Sequence, residues 1–294
     1  MFKKLSFDNL TFGAIFGSAI GTLSFASLGG FSHIRDSQSS ATSQSKILQP
    51  YLNKSSVDSF NKNGYLIIKN ALPIEEIAQI KLDIIELGNQ GRMSSGSDNA
   101  SGVGTRNDSI CWIRASDGTS DGASEESRGY CKIPPGLLKC IALLRGTTFN
   151  LEYCGYNRSN NHKIPQQLQI GRFSGDMKSI YKAHRDSSAN DNFWDIGFLG
   201  WLKSSDYRCR SITVILYVNA AEWDCDPSRD GGALRCYLGA DMDDDTGVSS
   251  KSILNVSPSS GTIILFDSRY LLHEVCPSNS TRYAVTLWVN GDKT

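Results

Sequence analysis

GTIILFDSRYLLHEVCPSNSTRYAVTLWVNG, residues 261–291, is where the fold is decided. Three apolar stretches, 261–267, 270–276 and 281–289, are rich in Ile, Val, Leu, Tyr, Phe and Trp, and polar turn residues separate them. The last stretch alternates. Arg282, Ala284, Thr286 and Trp288 share one face, and Tyr283, Val285, Leu287 and Val289 share the other. Five more candidate strands precede this block, at 166–173, 179–185, 210–219, 232–238 and 252–257. Short strands in quick succession, with no internal repeat, predict an antiparallel sandwich or barrel.

Farther upstream the period changes. FNKNGYLIIKN, residues 60–70, predicts a strand after an Asn-Gly turn. Pro73 opens a helix with Glu75 and Glu76 in its first turn, where the helix dipole favours them. Ile77, Ile80, Leu82, Ile84, Ile85 and Leu87 give it a broad apolar face. Residues 91–129 are Ser-, Gly- and Asp-rich, a long loop with one short strand at ICWI, 110–113. Pro134-Pro135 starts a second helix carrying Leu137, Leu138, Ile141, Leu143 and Leu144. Helices first and strands later predict an α+β domain over 48–294, with its β core at about 165–291. An aromatic insertion, 187–209, reads as a lid or as an extra packed turn. Asp241, Asp243 and Asp245 lack the Gly and the closing Glu of a calcium loop, so they read as a solvated acidic hairpin.

The chain has 294 residues, and thirty basic residues balance thirty acidic ones. A neutral chain has no global field for nucleic acid, and nucleic acid is not expected as a partner. Eight cysteines without a Cys-x-x-Cys pair argue against a structural zinc site and against a disulfide scaffold. Lys3 and Lys4 precede an uncharged stretch, residues 9–32, followed by a Ser/Gln-rich linker, 33–47. The stretch fits a signal peptide, a membrane anchor or an organelle transit peptide. The expected location is therefore the secretory pathway or endoplasmic reticulum, or a membrane touched through residues 9–32, with organelle and cytoplasm as alternatives.

Only four histidines are available, and His33 and His162 lie in polar segments. His184 and Asp186 sit two apart in YKAHRD, a spacing that points both side chains to one face of a strand. His273 lies in LLHEV. Two His and one Asp are the protein ligands of non-haem iron(II) oxygenases, which leave the remaining metal positions open. Taken alone, the triplet is better explained by a surface or hydrogen-bonded core histidine. Arg282 adds weight, because a guanidinium on the inner face of such a strand needs an anion, and its planar fork suits a carboxylate. Tyr217, in phase with Thr213 and Ile215 on SITVILYVN, offers a second hydrogen bond to the same group.

With these residues in view, the chain resembles the iron(II)- and 2-oxoglutarate-dependent dioxygenases, and within them the prolyl hydroxylases. The likeness rests on the 261–291 block, GGALRCY at 231–237, RSITVILYVNAAEW at 210–223 and YKAHRD at 181–186. It weakens upstream through RNDSICWI at 106–113 and GYLIIKNALP at 64–73. The resemblance implies a double-stranded β-helix, or jelly roll, backed by N-terminal helices. It implies that His184, Asp186 and His273 ligate iron(II), and that Arg282 and Tyr217 hold the distal carboxylate of 2-oxoglutarate. It puts Tyr181, Ile215, Leu234, Thr286 and Trp288 on the pocket wall. O2 and ascorbate follow as co-substrate and reductant, and a prolyl residue of a protein or peptide as substrate. An arginine at 282 is similar to the hypoxia-sensing prolyl hydroxylases, where collagen-type enzymes carry lysine. Phe173 stands where the family has a tyrosine. Hydroxylation of a free small molecule, or a binding module without activity, are the alternative functions.

Overall fold

The computed structural model describes residues 52–96, 106–114, 133–154, 156, 164, 167–187, 210–241 and 249–291. The N-terminal stretch and linker, His33, His162, most of the 187–209 insertion, Asp243 and Asp245 lie outside the described residues. Helix α1 spans Lys54–Asn63, followed by β1 (Tyr65–Ile68), α2 (Ile74–Asn89), β2 (Ser94–Ser95), β3 (Ser109–Arg114) and α3 (Pro135–Tyr153). Eight strands follow: β4 (Gln167–Phe173), β5 (Tyr181–His184), β6 (Arg210–Tyr217), β7 (Leu234–Leu238), β8 (Ser252–Val256), β9 (Ile263–Asp267), β10 (Leu272–Val275) and β11 (Arg282–Asn290).

Two antiparallel sheets form. The larger runs β1-β9-β6-β11-β4-β3-β2 and the smaller β5-β10-β7-β8. From β4 onward the chain passes from one sheet to the other at each step except β7 to β8, which pair as neighbours in the smaller sheet, and this is the winding of a double-stranded β-helix. The β core extends upstream of residue 165, because β1, β2 and β3 complete the larger sheet.

Strand periodicity sorts the core into two layers. Val285, Leu287 and Val289 of β11, with Ile212, Val214 and Leu216 of β6, face the helices. There they meet Ile77, Ile80, Ile84 and Leu87 of α2 and Leu137, Cys140, Ile141 and Leu144 of α3. Ile215, Tyr217, Leu234, Cys236, Phe266 and Val275 fill the space between the sheets. The face expected for α2 is narrower than its sequence implies: Leu82 and Ile85 are exposed, as is Leu138 of α3. Buried Asp83 joins the two helices by accepting the Leu137 N–H at 3.2 Å, an orphan donor of the first turn of α3.

Asn63-Gly64 differs from the expected strand-entry turn. It ends α1: Gly64 takes φ 79° and its N–H bonds the Phe60 carbonyl at 2.7 Å. Asn53 caps the other end by accepting the Ser56 N–H at 2.9 Å. Among the described residues, Cys140, Cys154, Cys225, Cys236 and Cys276 are free thiols. No helix among them is long and apolar enough to cross a membrane.

Candidate active site

The centre lies between the sheets, on the face of β11 opposite the helices. His184 ends β5, and His273 of β10 is its register partner. The strand stops at His184, so Asp186 sits in the bend after it. Even so, the carboxylate turns back onto the imidazoles. His184 Nε2 is 3.5 Å from Asp186 Oδ1, and His273 Nε2 is 3.9 Å from Asp186 Oδ2. One donor atom from each residue falls within 4.8 Å of the others.

The imidazole tautomers follow from main-chain partners. His184 Nδ1 lies 2.7 Å from the Lys182 carbonyl and His273 Nδ1 lies 3.0 Å from the Leu271 carbonyl. A carbonyl only accepts, so each Nδ1 carries the proton and each Nε2 lone pair turns toward Asp186. The Thr213 hydroxyl donates to Asp186 Oδ2 at 2.6 Å and pairs with Ser268 Oγ at 2.8 Å. Burial pushes the His273 imidazole down to about 4, with the neighbouring His184 adding to the shift. Burial opposes ionisation of Asp186, but His273, His184 and Arg210 outweigh it and hold the carboxyl below its ordinary range. At neutral pH His273 is therefore neutral beside an ionised carboxylate. That donor set fits a divalent metal of the iron(II) class, with outer hydrogen bonds already fixing each ligand.

Behind the triad the pocket continues to Arg282. Its cavity volume is about 50 Å³, and its wall includes Phe173, Ile215, Leu234, Val275, Ala284 and Thr286. Arg282 is 1% exposed, and its guanidinium lies 4.9 Å from the rings of both Phe173 and Tyr217. No ion pair forms on it among the described residues. Its Nε and the Tyr217 hydroxyl are both buried without a hydrogen-bond partner. Burial pulls the Arg282 guanidinium down from its ordinary value, and burial pushes the Tyr217 phenol up to about 12. Two orphaned donors at the end of an apolar pocket fit a carboxylate. Gly232 shapes this end: it takes φ 65°, and a Cβ there would lie 3.2 Å from Arg282 Cδ.

The structure places nine of the residues expected at the site around one pocket. His184, Asp186 and His273 gather, and Arg282, Tyr181, Ile215, Leu234, Thr286 and Trp288 line one pocket. Tyr217 lies behind that wall, against Arg282. The Arg210 guanidinium lies 4.0 Å from the Trp288 ring, and the exposed Trp112 meets that ring at 5.6 Å with the planes tilted by 40°. Sequence reasoning missed Thr213 as the partner of Asp186, and missed Arg106, Asp108 and Gln169 as pocket wall. The Arg-x-Asp pair just before the ICWI strand was the available signal for two of them.

Residues 168–290 match the family model described as the 2OG-Fe(II) oxygenase superfamily. The fold is similar to that of a prolyl-4-hydroxylase from Pseudomonas putida, at 17% identity and TM-score 0.55 over 81% of this chain and 98% of that one. It is also similar to a prolyl hydroxylase from Trichoplax adhaerens solved with a hypoxia inducible factor peptide, at 22% identity and TM-score 0.55 over 90% and 94%. A non-heme alpha-ketoglutarate-dependent epimerase of nogalamycin biosynthesis shares the fold at 12% identity and TM-score 0.52, over 83% and 82%. The match over 168–290 covers the same residues that build a centre fitting iron(II), and the two together support catalytic activity dependent on iron(II) and 2-oxoglutarate.

Proposed function

We propose that the chain hydroxylates a prolyl residue in a protein or peptide. The observation that carries the oxygenase half is the buried, unpaired Arg282 at the end of a pocket whose other wall is the His-Asp-His triad. The prolyl half is supported by the sequence likeness and by the two prolyl hydroxylases of similar fold, one of them holding a peptide.

In this reading His184, Asp186 and His273 would hold iron(II) through Nε2, a carboxylate oxygen and Nε2. Bound together, iron(II) and 2-oxoglutarate supply an O2-dependent decarboxylation to succinate and CO2 that is coupled to hydroxylation of a C–H bond. The remaining work falls to the chain. Arg282 would clamp the distal carboxylate, with the rings of Phe173 and Tyr217 each 4.9 Å from its guanidinium, and the Tyr217 hydroxyl would donate a second bond. Ile215, Leu234, Val275 and Ala284 exclude water from the chelating end. Thr213 keeps Asp186 oriented. Tyr181, Thr286 and Trp288 complete the wall. Ascorbate as reductant, and a secretory or membrane-anchored location through residues 9–32, belong to the same proposal.

The test is an anaerobic titration with Fe(II) and 2-oxoglutarate, followed by turnover with proline-containing peptides and mass detection of a 16-dalton gain on proline. The visible band of the iron–2-oxoglutarate chelate is expected, and Asp186→Ala abolishes it together with bound iron. Oxidation of a free small molecule with no peptide product would move the substrate to that class. Absence of the band in folded protein would leave a binding module.

A further inference from the structure

Strand β5 carries an iron ligand on little support. It pairs with β10 only at His184–His273 and Tyr181–Val275, with an irregularity between them. Among the described residues, its other edge meets one short segment, Arg106-Asn107-Asp108. Arg106 bridges Tyr181 in antiparallel sense. The Asn107 side chain donates to the Lys178 carbonyl at 2.6 Å and accepts the Ile180 N–H at 2.7 Å, and the Asn107 N–H bonds the Ile180 carbonyl at 3.3 Å.

The side chains of that segment reach the metal centre in layers. Arg106 and Asp108 form a buried bidentate pair, with Nε–Oδ1 at 2.7 Å and Nη2–Oδ2 at 2.6 Å, and Nη2 also reaches Gln169 Oε1 at 3.3 Å. The guanidinium carbon sits 4.5 Å from the centre of the Tyr181 ring. Tyr181 in turn stacks on the His184 imidazole, with centroids 3.6 Å apart and planes 18° apart. Asp108 thus fixes Arg106, Arg106 backs Tyr181, and Tyr181 backs His184. Gly96 is moulded to the pair: a Cβ there would come within 2.8 Å of Arg106 Nε and would collide with Asp108 Oδ1. A buried ion pair is a poor source of net stability, since apolar residues of similar volume commonly replace one without loss. Its worth here lies in orientation.

We infer that Arg106 and Asp108 are positioning residues which, through Tyr181, fix the ring of the ligand His184. The inference rests on the reading of His184 as a metal ligand. Residues that orient a ligand from outside the coordination sphere typically change metal affinity about 10- to 100-fold when altered. Arg106→Lys keeps the charge but loses the planar fork and the flat face that backs Tyr181.

The experiment is a titration of the full-length, metal-stripped protein with Co(II), read by its visible ligand-field absorption and needing no turnover. Thermal melting establishes that each variant is folded. Arg106→Lys is expected to weaken Co(II) binding about 10-fold or more, and Tyr181→Leu by a similar factor. Tyr181→Phe keeps the ring and the native affinity. The double variant Arg106→Lys/Tyr181→Leu binds no more weakly than Tyr181→Leu alone, because the arginine acts through the ring. Native affinity in folded Arg106→Lys, or two losses that multiply in the double variant, would overturn the proposal. Should Arg106→Lys fail to fold, the Tyr181 pair decides, since it leaves the buried charges intact: equal affinities for Tyr181→Leu and Tyr181→Phe sink the idea. Failure of the ligand reading itself looks different, because His184→Ala would then bind Co(II) as the native protein does.

Discussion

Arg282 is the most constrained side chain of the pocket, and it was legible from the alternation of one strand. A charged residue in phase with Ala284, Thr286 and Trp288 faces either solvent from an edge strand or an interior, and an interior guanidinium needs an anion; the structure buries it. Arg282→Lys should weaken 2-oxoglutarate binding at least 10-fold, because a point charge replaces a fork and leaves the two rings unfilled. Isothermal titration on the iron-loaded protein checks this, and native affinity would remove Arg282 from the clamp. Arg106, Asp108 and Thr213 were not legible in the same way. Their roles depend on which strands become neighbours: β3 lies beside β4, and the bend after β5 folds over β6. A local pattern carries no information on either pairing.

Among the elements, the eight strands from β4 to β11 were legible as short apolar runs between turn residues, and β11 also by alternation, because one of its walls faces the helices and the other the opposite sheet. Helix α1 gave no such signal. KSSVDSFNKN buries only Val57 and Phe60, too few to set a period. In α2 the apolar run overstated the buried face, since Leu82 and Ile85 cover the outer turn of a helix that already packs through four other positions. The two-layer sorting of β11 makes a separable prediction. Leu287 is fully buried on the helix side, away from the pocket. Leu287→Ala should cost about 2–5 kcal/mol of stability, by lost burial and the cavity left behind. Urea denaturation measures the loss, and 2-oxoglutarate affinity of the folded variant should stay at the native value. A variant that keeps full stability would place Leu287 outside the core.

For the molecule as a whole, the metal-free centre ties stability to pH. His273 is held at about 4 in the folded chain against an ordinary value of 6.5. Between those values the unfolded chain binds a proton that the folded chain refuses, so stability rises with pH across the window. This contribution is complete above pH 6.5 and is lost as pH falls toward 4, to the extent of about 3 kcal/mol. Asp186, held below its ordinary 3.8, adds its own loss at still lower pH. Chelator-treated protein denatured at pH 7 and at pH 4.5 should show the first effect, and His273→Gln should flatten it. A native slope in that variant would assign the pH dependence to other groups. The pairing of His184 with His273 across β5 and β10 has one more consequence. Side chains alternate along a strand, so a one-residue slip in that pairing turns a ligand outward and dismantles the metal centre. A misassembled chain is therefore an iron-free chain. Oxygen chemistry begins only after the two strands have found their partners, and a folding error yields an inert protein rather than one that oxidises indiscriminately.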